Sequence, residues 1–127
     1  MKGLDTNVLV RYLVQDDPEQ SRKAAHYIES NQSFINDVVL CELVWVLESA
    51  YGYRKHEIAD TLEKILLTSE FEIENRDLAW AALGDYRNSK TDFSDCLVGR
   101  KNAEAGCEET LSFDKSVKGL RGFKLLQ

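Results

Sequence analysis

Met1-Lys2-Gly3-Leu4-Asp5-Thr6-Asn7-Val8-Leu9-Val10-Arg11-Tyr12-Leu13-Val14 opens the chain and decides its fold class. Met1 to Leu4 is a short apolar entry with strand character, Asp5-Thr6-Asn7 supplies polar caps, and Val8 to Val14 is an apolar run that follows as a helix. Working outward, the same alternation recurs. Asp16-Asp17-Pro18-Glu19 places an acidic N-cap before a proline at the first helical position, predicting a helix from Pro18 to about Ser30 with Ala24, Ala25 and Ile28 inward. Ser33 to Asn36, centred on Phe34-Ile35, has the length of a short buried strand. Asp37 is expected to cap a strongly apolar helix to about Ala50, broken at Tyr51-Gly52-Tyr53.

Lys55 to about Thr68 carries Ile58, Leu62, Ile65 and Leu66 at helical spacing. Phe71-Glu72-Ile73 alternates as a strand, and Asn75 precedes a stripe of Leu78, Ala79, Ala82, Leu83 and Tyr86. Asp92 to Ala105 predicts a further helix closed by Gly106. Glu109 to Phe113 forms another short strand ending at Asp114, and Phe123 to Leu126 an edge strand. The expectation is one domain over residues 1–127, a three-layer α/β/α sandwich around a central, mostly parallel sheet.

Composition agrees with one compact domain: 127 residues, 43% hydrophobic and 30% charged, with a single proline, exclude disorder and collagen-like repeats. Sixteen Lys and Arg against 22 Asp and Glu give a net charge of -6, which excludes a protein that coats nucleic acid generally. A local, cation-filled site is still compatible with a nucleic-acid substrate, because a bound divalent metal reverses the local potential. Cys41, Cys96 and Cys107 are odd in number and lack C-x-x-C spacing, so reduced thiols and a cytoplasmic location are expected. Asp5 and Arg11 interrupt the N-terminal apolar segment. The run Val38 to Leu47 contains Glu42 and is too short to span a bilayer, so neither a signal peptide nor a membrane span is expected.

Four acids, Asp5, Glu42, Asp95 and Asp114, fall where surface charge is not the only reading. Asp5 and Asp114 stand at predicted strand ends, where open α/β sheets place ligand crevices, although each also suits a cap or turn. Glu42 has apolar helical neighbours in Val38, Val39, Leu43, Trp45 and Val46, so a buried carboxylate with a metal, a cation or hydrogen bonds is expected, or else a salt bridge. Asp92 and Asp95 share a face at a helix start, either as metal-site acids or as a capping-box-like pair. Carboxylates converging on one sheet edge repel unless a hard divalent cation compensates, and oxygen-only ligation suits Mg2+ or Mn2+. Neither His26 nor His56 has a zinc-like spacing with the cysteines.

Asp5-Thr6-Asn7-Val8-Leu9, Leu40-Cys41-Glu42-Leu43, Asp92-Phe93-Ser94-Asp95-Cys96-Leu97 and Leu111-Ser112-Phe113-Asp114 together resemble the PIN-domain family, and most closely its VapC-type toxins. The resemblance runs in order across nearly the whole chain. It implies a Rossmann-like α/β/α sandwich and a metal-dependent endoribonuclease whose acidic quartet is Asp5, Glu42, Asp95 and Asp114, with Asp92 an adjacent acid. Thr6 and Ser112 then orient carboxylates or water. The resemblance further implies a homodimer and a cognate antitoxin.

On that basis the expected reaction is water attack on an RNA phosphodiester, with Mg2+ held by Asp5, Asp95 and Asp114 and Glu42 as ligand or general base. Beyond Asp114 the chain has no acid, while Lys115, Lys118, Arg121 and Lys124 supply cations. Those residues, with Arg87, Lys90, Arg100 and Lys101 around the Asp92 helix, are the expected phosphate track. Trp45, Trp80, Tyr12 and Tyr27 recur on helical stripes and are assigned to core or interface packing. The competing readings are a DNA or flap nuclease, a receiver-like phosphoacceptor domain and a catalytically silent binding module. Walker, G-x-G-x-x-G and nucleophile-elbow motifs are absent.

Overall fold

The computed structural model describes all 127 residues. Three short strands, β1 (Lys2–Gly3), β2 (Ser33–Ile35) and β3 (Phe71–Ile73), form a parallel sheet in that order. Lys2 lies opposite Ser33, and Ser33 in turn opposite Phe71. A second parallel pair joins β4 (Thr110–Ser112) to β5 (Phe123–Leu125), with Thr110 opposite Phe123. Every pairing is parallel, as helices interposed between strands require. The expected sheet is divided into two hydrogen-bonded groups, because β1 contributes only two residues and the Lys2 and Leu4 amides donate to Gln32 and Phe34 on the β2 side.

Six helices connect the strands: α1 (Thr6–Val14), α2 (Pro18–Ser30), α3 (Asp37–Ser49), α4 (Lys55–Leu67), α5 (Arg76–Arg87) and α6 (Phe93–Glu104). A 3-10 turn, Lys115–Val117, lies between β4 and β5. The helix starts follow the capping chemistry in the sequence. Asp17 accepts from the Gln20 amide ahead of Pro18, and Asn36 accepts from the Val39 amide. The cap of α3 is therefore Asn36, and the expected cap, Asp37, is its first helical residue.

One apolar stripe from each helix closes on the three-stranded sheet. Leu9, Ile28, Leu40, Leu43, Ile58, Leu62, Leu83 and Phe93 are essentially inaccessible, as is Ile35 of β2. Burying each such side chain stabilises the fold by about 1.5–3 kcal/mol before chain entropy is counted. The β4–β5 pair is fastened to α6 instead. Asn102 donates to Thr110 Oγ1, and the Phe123 ring packs so close to Gly99 that a methyl group there would overlap it. The parallel strands all point their carboxyl ends the same way within each sheet, so Asp5 follows β1, Asp37 follows β2 and Asp114 follows β4. All three cysteines are free, and no helix is long and apolar enough to cross a membrane.

Candidate active site

Asp5 occupies the N-cap of α1, where one carboxylate oxygen accepts from the Thr6 amide at 2.9 Å. Thr6 is buried, and its hydroxyl donates to Glu42 Oε1 at 2.8 Å, joining the end of β1 to the middle of α3. That hydrogen bond fixes the carboxylate orientation. The burial expected for Glu42 is not found: Glu42 is exposed, and its neighbours Val38 and Trp45 are themselves 66% and 70% exposed. An apolar neighbourhood in sequence reads as burial only if the neighbours are buried, and this face of α3 points to solvent. Tyr27 is likewise exposed, so neither it nor Trp45 belongs to the core of the chain.

Asp92 is the N-cap of α6 by position but makes no side-chain capping bond, so the capping-box arrangement is not formed. The Asp95 carboxyl is pushed above its usual value by burial first, then by the charges of Asp114 and Asp92, and no hydrogen bond offsets this. Asp114 behaves oppositely. Its carboxylate accepts from the Ser116 amide at 2.8 Å, which holds its pKa below the ordinary value. Ser112 Oγ accepts from the Asp114 amide at 3.0 Å, so it braces the backbone of that turn and not the carboxylate. Burial raises the Cys41 thiol beside Glu42, and Asp37 and Asp95 add to the shift against Lys101, which brings Asp95 within electrostatic range of α3.

No three Asp, Glu, His or Cys side chains stand close enough to form a ready-made metal cage. The donor chemistry nevertheless fits a hard divalent cation. The acids are oxygen donors, Asp92, Asp95 and Asp114 repel one another, and Mg2+ commonly keeps several waters while using one or two carboxylates. A model of the PIN domain matches residues 3–121 of the chain.

The chain belongs to the PIN-domain family. This PIN domain is 31% identical over 128 residues to the VapC ribonuclease of Aquifex aeolicus (strain VF5), a match covering 98% of this chain and 94% of that protein. It also aligns with a chain of a toxin-antitoxin complex from Klebsiella pneumoniae at 20% identity and a TM-score of 0.39, covering 98% of this chain and 96% of that one. The second likeness is too distant to add to the assignment.

Within the PIN domain the expected basic track is only partly available. Arg100 holds Asp85 through two bonds of 2.7 and 2.9 Å, Arg87 holds Asp60 and Glu63, and Lys101 holds Asp37 at 2.6 Å. Arg100 is thereby taken out of the track. Lys115, Lys118 and Arg121 are exposed and make no ion pair.

Two positioning residues were invisible to motif reading. Thr91 is almost wholly buried and donates to the Ser116 carbonyl at 2.9 Å, pinning the Asp114 turn against the start of α6. Buried Asp37 accepts from Lys101 and from Asn75, tying α3, α5 and α6 together at the carboxyl end of β2. Thr91 had a faint signal as the polar residue next to Asp92. Asp37 had none beyond its place at a helix start.

Proposed function

We propose that this PIN domain is a divalent-metal-dependent endoribonuclease of the VapC toxin type, acting in the cytoplasm and restrained by a cognate antitoxin, and that it works as a homodimer. The observation that carries the reading is the pair Asp92 and Asp95. They stand at the start of α6 near Asp114 with no capping or offsetting hydrogen bond, so a hard cation would relieve their mutual repulsion. The 31% identity to a VapC ribonuclease over nearly the full length supports the reaction class.

Asp5, Asp95 and Asp114, with Glu42 and Asp92 beside them, are the residues that would hold Mg2+ or Mn2+. When bound, such an ion would polarise the phosphoryl oxygen and lower the pKa of its water. The chain's own contributions are distinct. Thr6 holds Glu42 Oε1, which leaves Oε2 to take a proton from the attacking water. The water oxygen bonds to phosphorus as the bond to the ribose 3′-oxygen breaks, and that oxygen takes a proton from solvent as it leaves, giving a 5′-phosphate and a 3′-hydroxyl. Lys115, Lys118 and Arg121 bind backbone phosphates from the basic end of the chain.

The test is cleavage of a single-stranded RNA and a DNA of matched sequence, with Mg2+, with Mn2+ and with EDTA. RNA cleavage that needs the cation and is lost in Asp95→Asn is expected. Cleavage that persists in EDTA, or equal cleavage of the DNA, contradicts the proposal.

A further inference from the structure

A cavity of about 270 Å³, with Asp92 in its wall, opens between the end of α3, the start of α4 and the α5–α6 connection. Its wall brings together side chains of complementary chemistry. Lys55 and Lys90 make no ion pair, in contrast to Arg87, Arg100 and Lys101, whose charges are consumed by Asp60 and Glu63, Asp85 and Asp37. The unpaired cations nearest the start of α6 therefore face one cavity.

The aromatic members divide the work. Tyr86 is buried, with Phe93 against its edge and the Lys55 ammonium 5.1 Å over its ring, so both approaches to it are taken and it forms a floor. Burial, with the charges of Glu48 and Asp92, pushes its hydroxyl pKa up to about 12, so it stays a protonated donor. Lys55 also donates to the Ser89 carbonyl, which fixes its ammonium at the rim. Tyr53 is only half-buried and leaves part of its ring available for stacking. Gly52, at φ 65°, turns the chain at the end of α3, and the Tyr53 amide returns to the Leu47 carbonyl at 2.9 Å. Glu48 makes no ion pair, and a carboxylate is an acceptor only.

We propose that this cavity receives one nucleotide of the RNA next to the cleaved bond, with its base against Tyr53, its phosphate at Lys90 and Lys55, and Glu48 selecting against uracil. The inference rests on the ribonuclease reading and sharpens it. Adenine, cytosine and guanine carry exocyclic amino groups that donate to Glu48, whereas uracil offers only its N3–H, flanked by two carbonyl oxygens that repel an acceptor-only carboxylate. Its size admits one base and not a stacked strand, so the site reads a single position.

The test has two arms on the full chain. In the first, wild type and Glu48→Gln cleave an RNA pool randomised around the cut, and the flanking bases are sequenced. Wild type should avoid uracil at one flanking position. Glu48→Gln should lose that avoidance, because an amide donates as well as accepts. Tyr53→Ala should raise KM about tenfold, and Lys90→Ala should lower the salt dependence of KM.

In the second arm, fluorescence anisotropy follows Asp95→Asn binding fluorescein-labelled RNAs that differ at one base, with and without Glu48→Gln. Unchanged melting midpoints for Glu48→Gln and Lys90→Ala, both at exposed positions, exclude misfolding as the cause. No base bias in either arm, or a bias untouched by Glu48→Gln, overturns the nucleotide site. Base-selective binding lost with Glu48→Gln, from a wild type that cleaves no RNA, keeps the site and overturns the ribonuclease reading instead.

Discussion

In the region built by β1 and α3, protein donors hold the carboxylates: the Thr6 amide binds Asp5 and the Thr6 hydroxyl binds Glu42 at 2.8 Å. On the side built by α6 and β4, the Asp92 carboxylate makes no capping bond and Asp95 is raised by burial and by two neighbouring acids. Only Asp114 there has a protein donor, the Ser116 amide. One side is preset by hydrogen bonds. The other is held by backbone placement against its own repulsion, and it is where a cation has most to gain. The fold explains the contrast, since α1 and α3 pack into the main core while β4, β5 and the 3-10 turn are attached through Gly99, Asn102 and Thr91.

The largest effect should come from Asp95→Asn, which keeps the shape and removes a repelled charge. RNA cleavage should fall by more than about a hundredfold, beyond what loss of a ligand's supporting partner causes. The melting midpoint of the metal-free protein should hold or rise, as differential scanning fluorimetry will show. A large loss of stability would break the contrast, because it would mean that Asp95 is held by favourable contacts.

Next in size is Thr6→Val, which removes the donor to Glu42. A drop of about 10- to 100-fold in kcat is expected, with rescue by Thr6→Ser, because the hydroxyl and not the methyl orients the carboxylate. Single-turnover kinetics will show whether the loss lies in kcat. An effect confined to folding stability would reduce Thr6 to a structural residue.

Smaller still, Thr91→Val leaves the Ser116 carbonyl without this donor and should cost about 1 kcal/mol by urea unfolding. Cleavage should fall only several-fold, since the Asp114 turn loosens without losing its own Ser116 bond. The smallest effect belongs to Lys115→Ala. It should weaken RNA binding evenly across sequences and reduce the salt slope by about one counterion, as a phosphate contact does. A sequence-dependent loss would move Lys115 from backbone contact to base recognition.

Much of this was legible in the chain before any coordinates. The helix starts at Pro18 and the strand at Phe71 follow from local chemistry that tertiary packing did not override. The places of Asp5, Asp92 and Asp114 at the starts of α1, α6 and the 3-10 turn were legible from turn and cap residues. The exposure of Glu42 was not legible, since periodicity shows which residues share a face but not whether that face meets protein or solvent. Nor was the fate of each basic residue. Arg100 and Lys90 look alike in sequence, and only the partner fifteen residues back, Asp85, separates them.

A divalent cation held jointly by Asp5, Asp95 and Asp114 is the central claim. Isothermal titration of Mn2+ into the wild-type chain and into Asp95→Asn tests this without reference to RNA. Saturable binding to the wild type that is abolished in Asp95→Asn is the predicted result. Absence of binding to the wild type, or equal binding to both proteins, would contradict it.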